Sequence, residues 1–229
     1  MRIYILVEGE NTEMALYPAW ISYILPNLKR VDDFFNIEND SYYIASGYGY
    51  PAMIQNNHLI NAIKDINDKG DIDYLIVCLD GDTVGVQGRK NEILTHLKVN
   101  NISLINNCKL EIIIQNICIE TWLLGNKKMY SNGELNKNFI AYSKHYNVSI
   151  NDPELMEKPK DYKNSKSIYH YCYLIEMLKP KLRYSKASPN NVITKKYFDS
   201  LQDRFNDTPN HLGSLKTLLD LLHSFIKFS

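Results

Sequence analysis

The alternation of strand-like and helix-like segments along this chain predicts an α/β protein: an open, mostly parallel, Rossmann-like sheet flanked by helices, with a helical C-terminal part. Three observations carry that expectation. Short apolar runs such as Ile3-Tyr4-Ile5-Leu6-Val7 alternate with stretches of helical spacing. The run Tyr74-Leu75-Ile76-Val77-Cys78-Leu79 is almost continuously apolar, the pattern of a strand buried on both faces of a parallel sheet. Both runs end at once in acid and glycine, Glu8-Gly9 and Asp80-Gly81-Asp82, which would gather carboxylates along one carboxyl edge.

Residues 2–7 read as the first strand, and Glu8-Gly9-Glu10-Asn11-Thr12-Glu13 supplies turn and helix-capping chemistry after it. A helix over about 13–25 follows, kinked or restarted at Pro18 and ended before Pro26. Residues 41–46 make a second strand that Gly47 and Gly49 break. Residues 52–68 carry helical spacing through Met53, Ile54, Leu59, Ile60, Ile63 and Ile66, and Lys69-Gly70-Asp71 is a stop. After the strand at 74–79 come a helix over 91–98, a β-branched strand over 110–115 and a helix beginning over 119–124. From about 126 to 163 the pattern dissolves into Asn, Lys, Ser and Pro, an insertion or linker with little regular structure. Helices resume near 167–178, 194–204 and 212–228. The expected organisation is a core over 1–125, the insertion or linker over 126–163, and a helical part over 164–229 that completes the domain.

With 229 residues, 45% of them hydrophobic and 23% charged, the chain can bury a full core, which excludes a disordered tail or a bridge-stapled mini-protein. Cys78, Cys108, Cys118 and Cys172 form no C-x-x-C pair, so reduced thiols are expected. No stretch approaches the ~18 to 20 apolar residues that span a bilayer, and the expectation is a cytoplasmic chain without membrane contact. The zero net charge conceals an asymmetry. Residues 1–120 hold 9 Lys/Arg against 16 Asp/Glu, and residues 121–229 hold 17 against 10. Acidic groups gathered for a metal in one half and a basic surface for a polyanion in the other would produce that split; so would a dipole without function.

Asp80 and Asp82 stand at i and i+2 directly after a strand, where both can project to one side and offer oxygen to a hard divalent cation. Glu8 ends an independent strand. Three carboxylates on one sheet edge repel one another unless a metal holds them. Two acids after a strand can equally be solvated loop residues, and Glu13 or Glu120 can simply serve the first turn of a helix.

The motifs Ile5-Leu6-Val7-Glu8-Gly9 and Ile76-Val77-Cys78-Leu79-Asp80-Gly81-Asp82 together resemble the Toprim domain, in which one apolar strand ends in Glu-Gly and a later one in Asp-x-Asp. Glu8-Gly9-Glu10-Asn11-Thr12-Glu13 and Asn116-Ile117-Cys118-Ile119-Glu120-Thr121-Trp122-Leu123-Leu124 narrow the resemblance to RloB-like proteins, relatives of the overcoming-lysogenization-defect nucleases. It covers roughly residues 1–125. Tyr184-Ser185-Lys186 is similar to the tail segment in which such nucleases place a lysine. The resemblance implies a Toprim sheet and magnesium-dependent, or manganese-dependent, cleavage of phosphodiester bonds. Glu8, Asp80 and Asp82 would be the primary metal ligands, and Glu13 and Glu120 second-site ligands or groups that orient water. Lys186 would stabilise charge on the phosphorus centre. Relatives often operate beside a separate ABC-type ATPase in anti-phage defence. This chain has no G-x-x-x-x-G-K-[ST], so a motor would be another chain. DNA, RNA and transfer RNA all stay open as substrates, as does a homo-oligomer.

Residues 158–196 contain ten Lys/Arg and only Asp161 and Glu176 as acids, with Tyr162, Tyr169, Tyr171, Tyr173 and Tyr184 interleaved. Lys160, Lys163, Lys166, Lys181 and Arg183 are the candidates for phosphate contacts, with tyrosine faces for unpaired bases. A solvated face with tyrosines half in the core is the competing reading. Two other functions remain in play. The run Leu79-Asp80-Gly81-Asp82-Thr83-Val84 also matches the start of haloacid-dehalogenase-like phosphatases, with Asp80 as nucleophile, although no Gly-Asp follows Asp82. A non-catalytic module that binds nucleic acid or a partner is the other.

Overall fold

The computed structural model describes residues 1–130 and 137–226. Five strands, β1 (Arg2–Val7), β2 (Lys29–Val31), β3 (Ser41–Ser46), β4 (Tyr74–Asp80) and β5 (Lys109–Gln115), form one sheet in the order β2-β3-β1-β4-β5. Every pairing is parallel. The sheet is therefore an open α/β sheet with crossover helices on both faces. β1 lies between β3 and β4, in register Val7 with Ser46 and Val7 with Cys78. The ends that carry Glu8 and Asp80 are thereby set side by side.

Period-2 alternation sorts the strand side chains into two cores. Ile3, Ile5, Val7, Ile76 and Cys78 face one, and Tyr4, Leu6, Leu75, Val77 and Leu79 the other. The second core is closed by α3 (His58–Lys69) and α4 (Gly85–Val99), through Leu59, Ile63, Ile66, Ile93 and Leu97. The first is larger. It joins α1 (Thr12–Ile24) and the short α5 (Ile119–Leu123) to α6 (Lys137–His145), α7 (Lys166–Leu178), α8 (Lys195–Asp207) and α9 (Gly213–Phe225). Trp20 and Trp122, both fully buried, stack at 6.3 Å in this layer, and Phe198 packs on Trp20 at 5.2 Å. Such aromatic pairs add about 0.5–1.5 kcal/mol each beyond the area they bury. The chain's second half thus lies against the same sheet face as α1.

Several elements depart from the sequence expectation, each for a local reason. α1 runs unbroken through Pro18, where the ring removes only one backbone donor while Leu16, Tyr17, Trp20 and Ile21 keep the helix pinned to the core. The expected helix over 52–68 is two helices, α2 (Ala52–Gln55) and α3, because Asn57 adopts a left-handed φ of 59° that asparagine tolerates. α4 begins at Gly85, six residues before the apolar spacing announces it. β2 was not expected at all: it is a three-residue edge strand whose Lys29 and Arg30 are exposed, so it carries no apolar alternation. The stretch expected to hold little regular structure contains α6, and its Phe139, Val148 and Met156 are buried in the first core. Residues 131–136 of that stretch, and the end of the last expected helix at Phe228, lie outside the described residues. Among the described residues no helix is long and apolar enough to cross a membrane, and the four cysteines are free.

Candidate active site

At the carboxyl edge of the sheet the backbone of β1 and β4 builds the first half of the site. Glu8 N–H donates to Cys78 O at 3.0 Å, extending the ladder by one bond past Val7. Its side chain then turns across the strand end. Oε2 accepts from Asp80 N–H at 2.9 Å and Oε1 from Tyr50 N–H at 3.2 Å. Burial pushes the Glu8 carboxyl above the usual range, these two N–H groups pull it down, Asp82 raises it and Arg89 lowers it; the net shift is upward.

Asp80 faces the other acids of the site. Its Oδ1 is buried and has no hydrogen-bond partner among the described residues. Burial first, then the carboxylates of Glu8, Glu13, Glu120 and Asp82, raise its carboxyl well above the ordinary value. Glu13, from the first turn of α1, is buried and is pushed up to about 7 by burial, with Glu120 and Glu8 adding to the rise and Lys186 opposing it. Gly9 makes room for it: a Cβ there would stand 2.2 Å from Glu13 Oε2. The Glu-Gly pair therefore ends the strand and also lets the Glu13 carboxylate fold back against Gly9.

Glu120 comes from the first turn of α5 and is completely buried. Its Oε1 accepts from Tyr184 Oη–H at 3.0 Å and lies 3.6 Å from Lys186 Nζ. Its Oε2 is buried without a partner among the described residues. Thr12 Oγ1 donates to Lys186 O at 3.1 Å, fixing the tail segment against α1. Burial works to lower the Lys186 ammonium, but Glu120 and the neighbouring Cys118, Asp80 and Glu13 outweigh it and hold the ammonium above its ordinary value.

The structure thus brings together Glu8, Glu13, Asp80, Glu120 and Lys186, from four separated segments. It places Asp82 differently. Asp82 turns in a left-handed conformation (φ 45°), its Oδ1 accepts from Ser167 Oγ–H at 2.6 Å and its Oδ2 lies 3.4 Å from Arg89. With both oxygens engaged, Asp82 ties the β4 turn to α7 at the rim of the cluster.

Arg89, Tyr50, Ser167 and Tyr184 complete the site and were not singled out as site residues in the sequence. Arg89 is buried under the Asp80-Gly81-Asp82 turn, donating from Nε to Asp80 O at 2.9 Å and from Nη1 to Glu92 at 2.6 Å. Its guanidinium lies 3.6 Å from the centre of the Tyr50 ring, whose backbone N–H holds Glu8. One arginine therefore braces both acid-bearing loops. A basic residue one to two turns into a helix that follows Asp-x-Asp was the only signal for it. The sequence offers Tyr184 as a neighbour of Lys186 and as one of the tyrosine faces for bases, not as the donor to Glu120.

The basic strip is divided. Lys160, Lys163 and Arg183 are exposed, Lys166 pairs with Glu157, and Lys181 Nζ donates to Lys128 O at 2.7 Å. The expected tyrosine platforms fail at Tyr169 and Tyr173, whose rings are buried in the core, because α7 turns them toward α6. His170, also buried, lies 2.9 Å from Thr121 Oγ1 and 3.0 Å from Met156 O.

The donors here are carboxylate oxygens, the set a hard divalent ion takes, and two of them are buried without partners among the described residues. That chemistry fits a magnesium or manganese ion. As the side chains stand, no three His, Cys, Asp or Glu among the described residues are gathered closely enough to hold one. Comparison of the chain with protein-family models, with curated proteins and with solved structures finds no match in any of the three.

Proposed function

We propose that the chain is a divalent-metal-dependent nuclease that hydrolyses phosphodiester bonds in DNA or RNA, transfer RNA included, with Mg²⁺ or Mn²⁺ as cofactor. The observation that carries the reading is the pair of buried oxygens, Asp80 Oδ1 and Glu120 Oε2, that have no hydrogen-bond partner among the described residues, inside a cluster of four carboxylates served by one lysine. Such an arrangement costs stability on its own and is relieved by a cation.

When bound, a divalent ion supplies Lewis-acid polarisation of the phosphoryl oxygens and a more acidic water. Asp80, Glu8, Glu13 and Glu120 are the residues to hold it. Glu8, fixed by two backbone N–H groups, sets where the site begins. Glu13, with a carboxyl near neutrality, is poised to accept or return a proton at its carboxylate oxygen. Lys186, more than half exposed, can swing its ammonium from Glu120 toward the negative charge that gathers on phosphorus-bound oxygens. Arg89 and Ser167 keep the Asp80–Asp82 turn in place.

The competing phosphatase chemistry needs Asp80 to present a free carboxylate to phosphorus and Asp82 to exchange a proton. The buried Oδ1 of Asp80 and the engaged oxygens of Asp82 favour the metal reading over it. A cytoplasmic role as effector of an anti-phage system, with a separate ABC-type ATPase as motor, follows the resemblance in the motifs.

Incubation with plasmid, single-stranded DNA and total transfer RNA, each with Mg²⁺, Mn²⁺ or chelator, tests the proposal. Metal-dependent cleavage of at least one substrate is expected, abolished in Asp80→Ala with the fold intact. Cleavage at the wild-type rate by Asp80→Ala, or a phosphorylated Asp80, overturns it.

A further inference from the structure

α7 turns one aromatic ring toward the carboxylate cluster. Ser167, whose hydroxyl holds Asp82, and Tyr171 are four residues apart on this helix, so both stand on the face that meets the site. Tyr171 is half-buried, and Lys186 Nζ lies over its ring, 5.7 Å from the centre. An ammonium within ~6 Å of a ring centre is attracted by the negative charge of the ring face. The Tyr184 ring meets the Tyr171 ring edge-on, at 6.1 Å and 61°.

These contacts close a circuit. Tyr184 Oη–H donates to Glu120 Oε1 at 3.0 Å, and the same oxygen lies 3.6 Å from Lys186 Nζ. Lys186 and Tyr184 both touch the Tyr171 ring. The ammonium therefore has two anchors of different kinds. Glu120 holds it by charge, and that hold weakens once the carboxylate shares its charge with a divalent ion. The Tyr171 ring is neutral, so its attraction does not depend on the charge the carboxylates carry. The backbone of the segment is already fixed, through Thr12 Oγ1–H on Lys186 O at 3.1 Å, which leaves only the lysine side chain to be guided.

We infer that Tyr171 is a positioning residue for Lys186, its ring face keeping the ammonium at the site once Glu120 is engaged by the cation. The inference rests on the nuclease reading for its effect on cleavage, whereas the contact itself is measured without any cleavage.

Selective ¹³C labelling of lysine reads the contact, with the Lys186 signal identified by its absence in Lys186→Met. In chelator, and again in Mg²⁺, the Lys186 ε-methylene protons are expected upfield of those of exposed lysines, because they lie over a ring. Tyr171→Phe keeps that shift and Tyr171→Leu loses it. In single-turnover cleavage at saturating enzyme, Tyr171→Leu is expected to slow the reaction roughly threefold to tenfold with substrate affinity unchanged, as loss of one cation–π contact implies. Tyr171→Phe restores most of the rate, and in a Lys186→Met background Tyr171→Leu has no further effect. A chain that cleaves nothing yet shows the ring shift in both conditions sinks the nuclease reading and supports the positioning role. A wild-type Lys186 signal at the exposed-lysine position overturns the inference, as does a shift lost on adding Mg²⁺ or one that survives Tyr171→Leu. Equal slowing by Phe and Leu, or a Leu effect undiminished without Lys186, overturns it as well.

Discussion

Two buried acidic centres in this molecule are built in opposite ways. Glu154, on the turn beneath α9, receives Ser214 Oγ–H at 2.5 Å and Ser214 N–H at 3.1 Å on Oε1, and Asn116 Nδ2–H at 3.4 Å on Oε2. Burial raises its carboxyl, but the Ser214 hydroxyl pulls it back toward the ionised form. At the sheet edge, Asp80 and Glu120 each keep a buried oxygen with no donor among the described residues, and the neighbours of Asp80 are mostly other acids. Burial alone does not separate the two centres. The supply of donors does: Glu154 staples a helix start, whereas Asp80 and Glu120 each keep an oxygen without a donor among the described residues, as the proposed cation site requires.

The contrast can be broken at several points. Lys186→Met keeps most of the apolar stem and removes the ammonium, so single-turnover cleavage at saturating enzyme is expected to slow by ~10² to 10³ with substrate affinity little changed. A rate within a few-fold of wild type, or a defect cured by more enzyme, would return Lys186 to the ordinary surface lysines. Glu154→Ala strands Ser214 and Asn116 and is expected to cost about 3 kcal/mol, visible as a lower denaturation midpoint without loss of activity in the protein that stays folded. An unchanged midpoint would erase the distinction between the two centres.

Glu13 sharpens the comparison through pH. Its carboxyl titrates near 7 when folded and near 4.5 when unfolded, so the folded state holds the extra proton between those values. The stability it confers is complete below about 4.5 and is lost as pH rises through 7. In chelator, Glu13→Gln should therefore match wild type near pH 4.5 and exceed it at pH 8 by about 3 kcal/mol, read from denaturant midpoints. A variant less stable than wild type at pH 8 would show that ionised Glu13 is stabilised there instead.

Much of the site was legible because it sits at chain punctuation. Glu8-Gly9 and Asp80-Gly81-Asp82 interrupt apolar runs, and parallel pairing of β1 with β4 converts those two interruptions into neighbours. Glu120 and Tyr184-Ser185-Lys186 were visible as motifs, yet only folding shows that the tyrosine and the lysine converge on the same glutamate oxygen. Arg89 was hidden because, apart from Glu92 one turn along α4, its partners are the Asp80 carbonyl and side chains 7 and 39 residues away, Asp82 and the Tyr50 ring, which no periodicity shows. β2 and α6 were missed for a different reason. The first is a charged edge, and the second buries chiefly Phe139 amid Lys and Asn, so neither shows an apolar pattern. Tyr169 and Tyr173 of α7 illustrate the reverse error, since a basic flank made core rings look like a binding face.

As proposed, the sheet-edge carboxylates form a cation site, and their mutual repulsion costs the fold stability unless a cation offsets it. Thermal unfolding at pH 8, with chelator or with rising Mn²⁺, tests it most directly, comparing wild type, Asp80→Asn and Glu154→Gln. Ligand present at about 100 times its Kd stabilises by ~2.7 kcal/mol, so the wild-type midpoint should climb by several degrees, at roughly 2–4 °C per kcal/mol for a chain of this size. Glu154→Gln should start lower and climb equally. Asp80→Asn should start at or above wild type in chelator and ignore the metal. A wild-type midpoint indifferent to Mn²⁺, or an Asp80→Asn protein less stable than wild type in chelator, would contradict the account.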